Sequence, residues 1–188
     1  LYGQWLCESC VFAYDFDKFD AADILPLFKE YGITSFCAPP TMFRFFIKAG
    51  IEKYDLSSLK HTTIAGEALN PEVFYKFKEY TGLSLMEGFG QTETTLVIGN
   101  FVGDTPKPGS MGHPSPMYDV DIITPDGKSC EVGETGEIVI KTTDNVPCGL
   151  FKGYYKNDEA TREAWHDGYY HTGDTAWKDE EGYFWYVG

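Results

Sequence analysis

Apolar positions recur along the first half of the chain in two alternating rhythms. Ile24, Leu27, Phe28 and Tyr31 fall three or four apart, the spacing of one helix face. Asp20 or Asp23 is the expected cap of that helix and Gly32 its stop, and Pro26 fits if it lies in the first turn. Residues 33–38 read as an apolar strand, broken by Pro39-Pro40. Residues 41–49 are helical again. Met42, Phe43, Phe45, Phe46 and Ile47 wrap most of that helix, which is therefore expected to be substantially buried. Residues 61–65 form the next strand, Asn70-Pro71 opens a helix with Val73, Phe74, Phe77 and Tyr80 on its apolar face, Gly82 stops it, and residues 83–87 form a third strand. Ahead of these, Tyr2, Trp5 and Leu6 share one face of a helix end running to Cys10. A short strand over 11–14 and a charged turn over 15–20 follow it. Strands apolar on both sides, alternating with helices, predict a parallel sheet covered by helices.

Near Asn100 the rhythm changes. Gly, Pro, Asp and Ser dominate through Pro116, and then Tyr118, Val120 and Ile122 alternate with Asp119 and Asp121. Pro125-Asp126-Gly127 and Gly133-Glu134-Thr135-Gly136 are turns separating strands over 129–132 and 137–141. A short helix runs from Asn157 to Trp165, and strands over 169–171 and 183–187 flank a turn over 179–182. The fold class is therefore α/β. A parallel βαβ half-sheet covered by helices (1–99) is followed by a small antiparallel β-barrel-like subdomain (100–188).

Composition narrows what this fold can do. The chain has 188 residues, 43% hydrophobic and 23% charged, which is globular rather than disordered composition. Its net charge of −14 repels nucleic-acid phosphates and anionic membranes, so nucleic acid is not an expected partner. No apolar run is long enough to predict a membrane-spanning helix. The same charge repels ATP, so a nucleotide site here needs Mg²⁺ or basic groups from elsewhere. The first residue is Leu1 and the last, Gly188, follows an aromatic strand, so a piece of a longer protein is expected. Five cysteines (Cys7, Cys10, Cys37, Cys130, Cys148) form no disulfide framework. Cys7 and Cys10 make a lone C-x-x-C, readable as half a zinc site or a redox pair but without a second pair or suitably spaced histidines, so reduced, buried thiols in a cytoplasmic protein are expected.

Three stretches carry candidate chemistry. The first is Glu87-Gly88-Phe89-Gly90-Gln91-Thr92-Glu93, where glycines flank an aromatic ring and a hydroxyl sits beside a carboxylate. Thr92 and Glu93 read either as a helix start, cap plus dipole partner, or as a phosphate-binding hydroxyl with a hard oxygen ligand for Mg²⁺. The second, Gly66-Glu67-Ala68, also ends a strand. Ligands sit at strand carboxyl ends in open parallel sheets, although a tight turn explains Gly66 alone. The third is His171-Thr172-Gly173-Asp174, where the aspartate is either a turn residue or a carboxylate fixed to accept ribose hydroxyls. Serine-hydrolase, zinc-protease and P-loop motifs are absent, and the four histidines show no ligand spacing.

Five segments in one order carry a family resemblance. They are Ala38-Pro39-Pro40-Thr41, Gly66-Glu67-Ala68-Leu69, the stretch from Gly88 to Thr95, Gly153-Tyr154-Tyr155 with Glu159-Ala160-Thr161, and Tyr170-His171-Thr172-Gly173-Asp174. Over nearly its whole length the chain resembles the adenylate-forming superfamily of acyl-CoA synthetases, luciferases and peptide-synthetase adenylation domains. Within it, the acetyl- and medium-chain acyl-CoA synthetases are most similar. The resemblance implies that Gly66, Glu67 and Ala68 line adenine and ribose, Phe89 stacks on adenine, and Glu87, Gly88, Gly90 and Gln91 add nucleotide contacts. It further implies that Thr92 holds the α-phosphate, Glu93 binds Mg²⁺, and Asp174 grips the ribose hydroxyls. The implied substrates are ATP, a small carboxylic acid and CoA, joined through an acyl-AMP intermediate with release of pyrophosphate and AMP.

Acetyl-specific relatives carry tryptophan where this chain has Gly90, which implies a medium-chain acid over acetate. The family's phosphate loop is expected upstream of Leu1, and its hinge and C-terminal catalytic lysine beyond Gly188. The 188 residues alone are thus expected to lack ligase activity and to be able to self-associate through uncovered apolar surface. A non-catalytic nucleotide-binding or interaction module of the same fold is the alternative.

Overall fold

The computed structural model describes residues 2–188, the side chain of Tyr2 excepted, so the expected place of Leu1 and of the Tyr2 ring lies outside what is described. The opening helix α1 is short (Tyr2–Leu6) and leaves Leu6 largely in solvent, and the expected strand over 11–14 does not form. Helix α2 (Ala21–Glu30) starts at Asp20, whose carboxylate accepts a 2.8 Å hydrogen bond from the Ala22 amide. Pro26 lies in the body of α2 rather than in its first turn. A proline there forfeits a backbone hydrogen bond, and burial of Ile24, Leu25 and Phe28 on the same helix offsets the loss.

Strand β1 (Ser35–Cys37) leads into α3 (Pro40–Lys48), and β2 (His61–Ile64) leads into α4 (Pro71–Thr81), which Asn70 caps by accepting from the Glu72 amide at 2.8 Å. Strand β3 (Leu85–Gly90) follows, and β1, β2 and β3 pair in parallel, as helix crossovers require. The sheet then changes direction. Strands β4 (Leu96–Gly99) and β5 (His113–Pro114) add antiparallel neighbours, giving the order β1-β2-β3-β4-β5. The second sheet is antiparallel, in the order β10-β9-β7-β6. It contains β6 (Val120–Ile123), β7 (Gly136–Lys141), β9 (Tyr169–Lys178) and β10 (Phe184–Tyr186), with β8 (Trp165–His166) pairing on β9. Helix α5 (Asp158–Ala164), capped by Asn157, precedes β8, so Trp165 belongs to a strand rather than to the expected helix. Residues 129–132 make only a bridge from Ser129 to Ile123 instead of a strand.

Two apolar cores hold these layers. The first gathers Phe28, Phe43, Phe46 and Phe77 between helices and the parallel strands, with Phe43 and Phe77 edge-to-face at 5.1 Å. Each buried ring contributes about 1.5–3 kcal/mol by burial, and such a pair roughly 0.5–1.5 kcal/mol more. The second gathers Ile98, Ile122, Ile138, Ile140, Tyr170 and Phe184. A bridge between Gly112 and Phe184 ties the end of the first sheet to the second, and it is along this seam that the candidate site forms.

Candidate functional site

Strand β3 runs three residues further than its apolar pattern foretells, because Gly88, Phe89 and Gly90 pair with Gly99, Ile98 and Leu96 of β4. A register shift falls between Phe89 and Gly90. At that shift a Cβ on Gly90 would run into the Thr95 carbonyl, so the hairpin itself demands glycine there. Residues 92–95 form the turn of this hairpin and not the start of a helix. The Thr94 hydroxyl closes it by accepting from the Gln91 amide at 2.9 Å and donating to the Thr95 carbonyl at 2.9 Å. The helix-start reading of Thr92 and Glu93 is therefore wrong. An antiparallel partner, β4, follows where a helix would begin, and a four-residue strand ending in a glycine has little period to detect.

Across the seam, Asp174 projects from β9 toward the end of β3. Its Oδ2 accepts from Gln91 Nε2 at 2.6 Å and its Oδ1 from the Tyr186 hydroxyl at 2.9 Å. Gln91 Nε2 also donates to the Thr172 carbonyl at 2.8 Å, while Gln91 Oε1 accepts from the Tyr170 hydroxyl at 2.8 Å. Burial, with the charges of Glu93, Tyr154 and Asp174 behind it, pushes the Tyr170 phenol well above its usual range, so it stays a donor. The side-chain amide of Gln91 is thus engaged at both ends in orienting Asp174.

These groups face a cavity of about 210 Å³. It is smaller than the roughly 300–1,000 Å³ of complete small-molecule sites, and so is a partial wall. Residues 66–68 from the loop after β2, residues 87–91, and Asp174 all line it. Nine of the candidate positions of the sequence are thereby brought to one place, while Thr92 and Glu93 lie outside the lining, on the hairpin turn next to it. The Phe89 ring is half-buried against the second core and stands 6.4 Å from the Tyr186 ring, tilted by 35°. Glu67 is tied to the first sheet's helices, its Oε2 accepting from the Thr41 hydroxyl at 2.6 Å while Arg44 donates to that hydroxyl at 2.8 Å.

Glu87 is the most perturbed group lining the cavity. It is 6% exposed, and its Oε2 is buried with no hydrogen-bond partner. Burial pushes its carboxyl up to about 7, against the opposing pull of the Leu69 and Gly109 amides. Its backbone carbonyl accepts from both the amide and the side chain of Asn100, at 3.0 and 2.9 Å. The lining includes Glu67, Glu87 and Asp174 and no lysine or arginine. Such a wall suits hydroxyls, ring N–H groups and a planar face better than phosphates.

On the adjoining turn, Glu93 Oε1 accepts from the Tyr154 hydroxyl at 3.0 Å, and the Glu93 carbonyl accepts from the Phe151 amide at 2.7 Å. No group of three or more metal-ligating side chains occurs among the described residues. One oriented carboxylate nevertheless fits Mg²⁺, which takes one or two carboxylates and completes its shell with phosphates and water.

Four residues of this constellation escaped the sequence. Tyr186 and Met111 line the cavity, and Tyr170 and Tyr154 orient Gln91 and Glu93. Tyr170 and Tyr154 do sit inside recognisable segments, but nothing local shows where a tyrosine hydroxyl points. The thiols also differ from expectation. Cys130 alone is buried, while Cys7, Cys10, Cys37 and Cys148 are exposed and free. Cys7 and Cys10 follow a short helix with no core beneath it, and Cys37 is on the sheet's edge strand, so their polarity could not foretell burial.

Comparison with known proteins adds a family context. Residues 5–155 match the family model described as AMP-binding enzyme. The chain is 42% identical over 187 residues to acyl-coenzyme A synthetase ACSM3, mitochondrial, of Rattus norvegicus, covering all of this chain and 32% of that protein. It is 38% identical to acyl-coenzyme A synthetase ACSM4, mitochondrial, of Homo sapiens with the same coverage. Among solved structures it is similar to the anthranilate CoA ligase AuaEII in complex with anthranoyl-AMP (TM-score 0.81, 30% identity, 89% of this chain and 32% of that one). It is also similar to the Brucella canis acyl-CoA synthetase (TM-score 0.76, 32% identity, 91% of this chain and 32% of that one). The chain thus spans about a third of the length of the relatives it matches.

Proposed function

Because this chain belongs to the AMP-binding enzyme family, we propose that it supplies the nucleoside-facing wall of an AMP-forming acid–CoA ligase. The observation that carries the reading is the convergence of residues 66–68, residues 87–91 and Asp174 on one cavity from three separate parts of the chain. Residues 66–68 line adenine and ribose, Phe89 offers its half-buried ring to the adenine face, and the Asp174 carboxylate accepts from the ribose hydroxyls. A carboxylate has about four lone-pair sites, so the two donors already on Asp174 leave room for these. Thr92 holds the α-phosphate and Glu93 takes part in holding Mg²⁺, which when bound would neutralise phosphate charge.

The reaction has two steps. The carboxylate of the acid attacks the α-phosphorus of ATP and releases pyrophosphate. The CoA thiol then attacks the acyl carbon and AMP leaves. Both reactants of the first step are anionic, so the task of this wall is to hold the nucleoside end fixed while charge is neutralised at the other end. A medium-chain acid is proposed over acetate because no side chain projects at Gly90. Since a side chain at Gly90 would collide with the Thr95 carbonyl of this hairpin, the comparison belongs to substrates and not to a Gly90→Trp variant. The cytoplasm remains the proposed compartment, set against the mitochondrial designation of the relatives, and free exposed thiols suit any reducing compartment.

Acid-dependent exchange of pyrophosphate into ATP by the intact enzyme tests the function. Exchange is expected with hexanoate at higher kcat/KM than with acetate. Asp174→Asn should raise the KM for ATP roughly tenfold by weakening charge-assisted hydrogen bonds, and Glu93→Gln should raise the Mg²⁺ requirement. Nucleotide binding without exchange for any acid would instead make the protein a non-catalytic nucleotide module.

A further inference from the structure

Asp174 does not stand on regular strand backbone. Between β7 and β9 the register passes from Glu137 opposite Thr175 to Val139 opposite His171. Residues 172–174 therefore bulge out against the single residue Ile138. Gly173 at the crest has φ +74°, a left-handed conformation that glycine adopts without strain. Such a bulge leaves ladder groups unpaired, and two side chains satisfy them. The Thr172 hydroxyl donates to the Ile138 carbonyl at 2.7 Å and accepts from the Asp174 amide at 3.1 Å. Glu137 does more. Its Oε1 accepts from the Gly173 amide at 3.0 Å, and its Oε2 pairs with His171 Nδ1 at 2.9 Å. The His171 ring is itself held flat against His166, 3.7 Å apart and 11° from parallel.

We propose that Glu137 is a positioning residue that fixes the 171–174 bulge and thereby aims the Asp174 carboxylate at the ribose hydroxyls. Glu137 does not line the cavity, so it acts only through Asp174. One of its oxygens holds the Gly173 amide and the other the His171 ring on one side of the bulge, while Gln91 and Tyr186 hold the carboxylate at the other. Without the clamp, the glycine crest of the bulge loses its amide partner and is held only through Thr172, Gln91 and Tyr186, so binding then carries more of the cost of ordering it. The inference rests on the reading of Asp174 as the ribose acceptor.

The test compares the dissociation constants of AMP and of 2′,3′-dideoxyadenosine monophosphate for the intact enzyme by calorimetry. Glu137→Ala is expected to weaken AMP by roughly tenfold, the loss of one charge-assisted contact, and to leave the dideoxy analogue unchanged. Glu137→Gln keeps one acceptor and should fall between. Equal weakening of both ligands, or of neither, overturns the proposal, since a merely structural residue does not distinguish the ribose hydroxyls. Asp174→Asn is the control. If it discriminates the two ligands and Glu137→Ala does not, the positioning role alone falls; if it does not discriminate, the ribose reading falls and the proposal with it. Should Glu137→Ala not fold, the same ligand ratio for Glu137→Gln decides.

Discussion

Glu87 joins a buried, half-unpaired carboxyl to the wall of the cavity, and its titration has a defined sign. Its folded pKa, about 7, lies above the value of 4.5 for a free carboxyl, so the folded state binds the proton more tightly. The contribution to stability is full below about 4.5 and is lost as pH rises through 7, by about 3 kcal/mol at most. Thermal melts between pH 4.5 and 8 should show this fall, and Glu87→Gln should flatten it. An unchanged pH profile in the variant would show that the group does not titrate there. Gly90 gives a second test. Gly90→Ala forces a methyl against the Thr95 carbonyl at the β3–β4 register shift and should destabilise by about 1–3 kcal/mol in urea unfolding, as overpacking does. A loss under about 0.5 kcal/mol, ordinary for a surface site, would mean that the hairpin relaxes freely.

Elements were legible in proportion to how local their causes are. The start of α4 was read from Asn70-Pro71 because a cap and a first-turn proline act within one turn, and the structure has that cap hydrogen bond. Asn70→Ala is expected to cost about 1 kcal/mol in chemical denaturation, with loss of helical signal from α4. No change would mean that packing of Val73, Phe74 and Phe77 alone sets that helix. Pro26 was misplaced for the opposite reason, since the first core overrides the local penalty of a proline. Strand β4 went unread because its pairing partner, β3, is what makes it a strand, and residues 172–174 read as a turn because their partner, β7, is far away in sequence.

At the scale of the whole molecule, net charge and uncovered apolar surface oppose each other. The chain carries −14, while Phe12, Tyr14, Phe16, Tyr31 and Phe45 are exposed. The isolated 188 residues are expected to self-associate more in 0.5 M salt than at low salt, because screening removes the repulsion and leaves the apolar attraction. Sedimentation velocity at both salt concentrations checks this, and a monomer in both would refute it. The same preparation is expected to form no acyl-AMP, because this wall carries no basic group for the phosphates.

The sequence by itself determined the alternation of helices and parallel strands and the change to antiparallel strands, which follow from local periodicity, caps and turns that residues carry with them wherever the chain goes. That residues 66–68, 87–91 and Asp174 belong to one set was legible only through the resemblance to a family. Only the tertiary structure decided that Thr92 and Glu93 sit on a hairpin turn, that Gln91 is spent on Asp174, and that Tyr186 completes the wall. Those outcomes depend on which strand pairs with which, and on where a hydroxyl or amide points once they have paired. Long-range pairing brings together residues about 80 positions apart, and no local pattern encodes such a meeting.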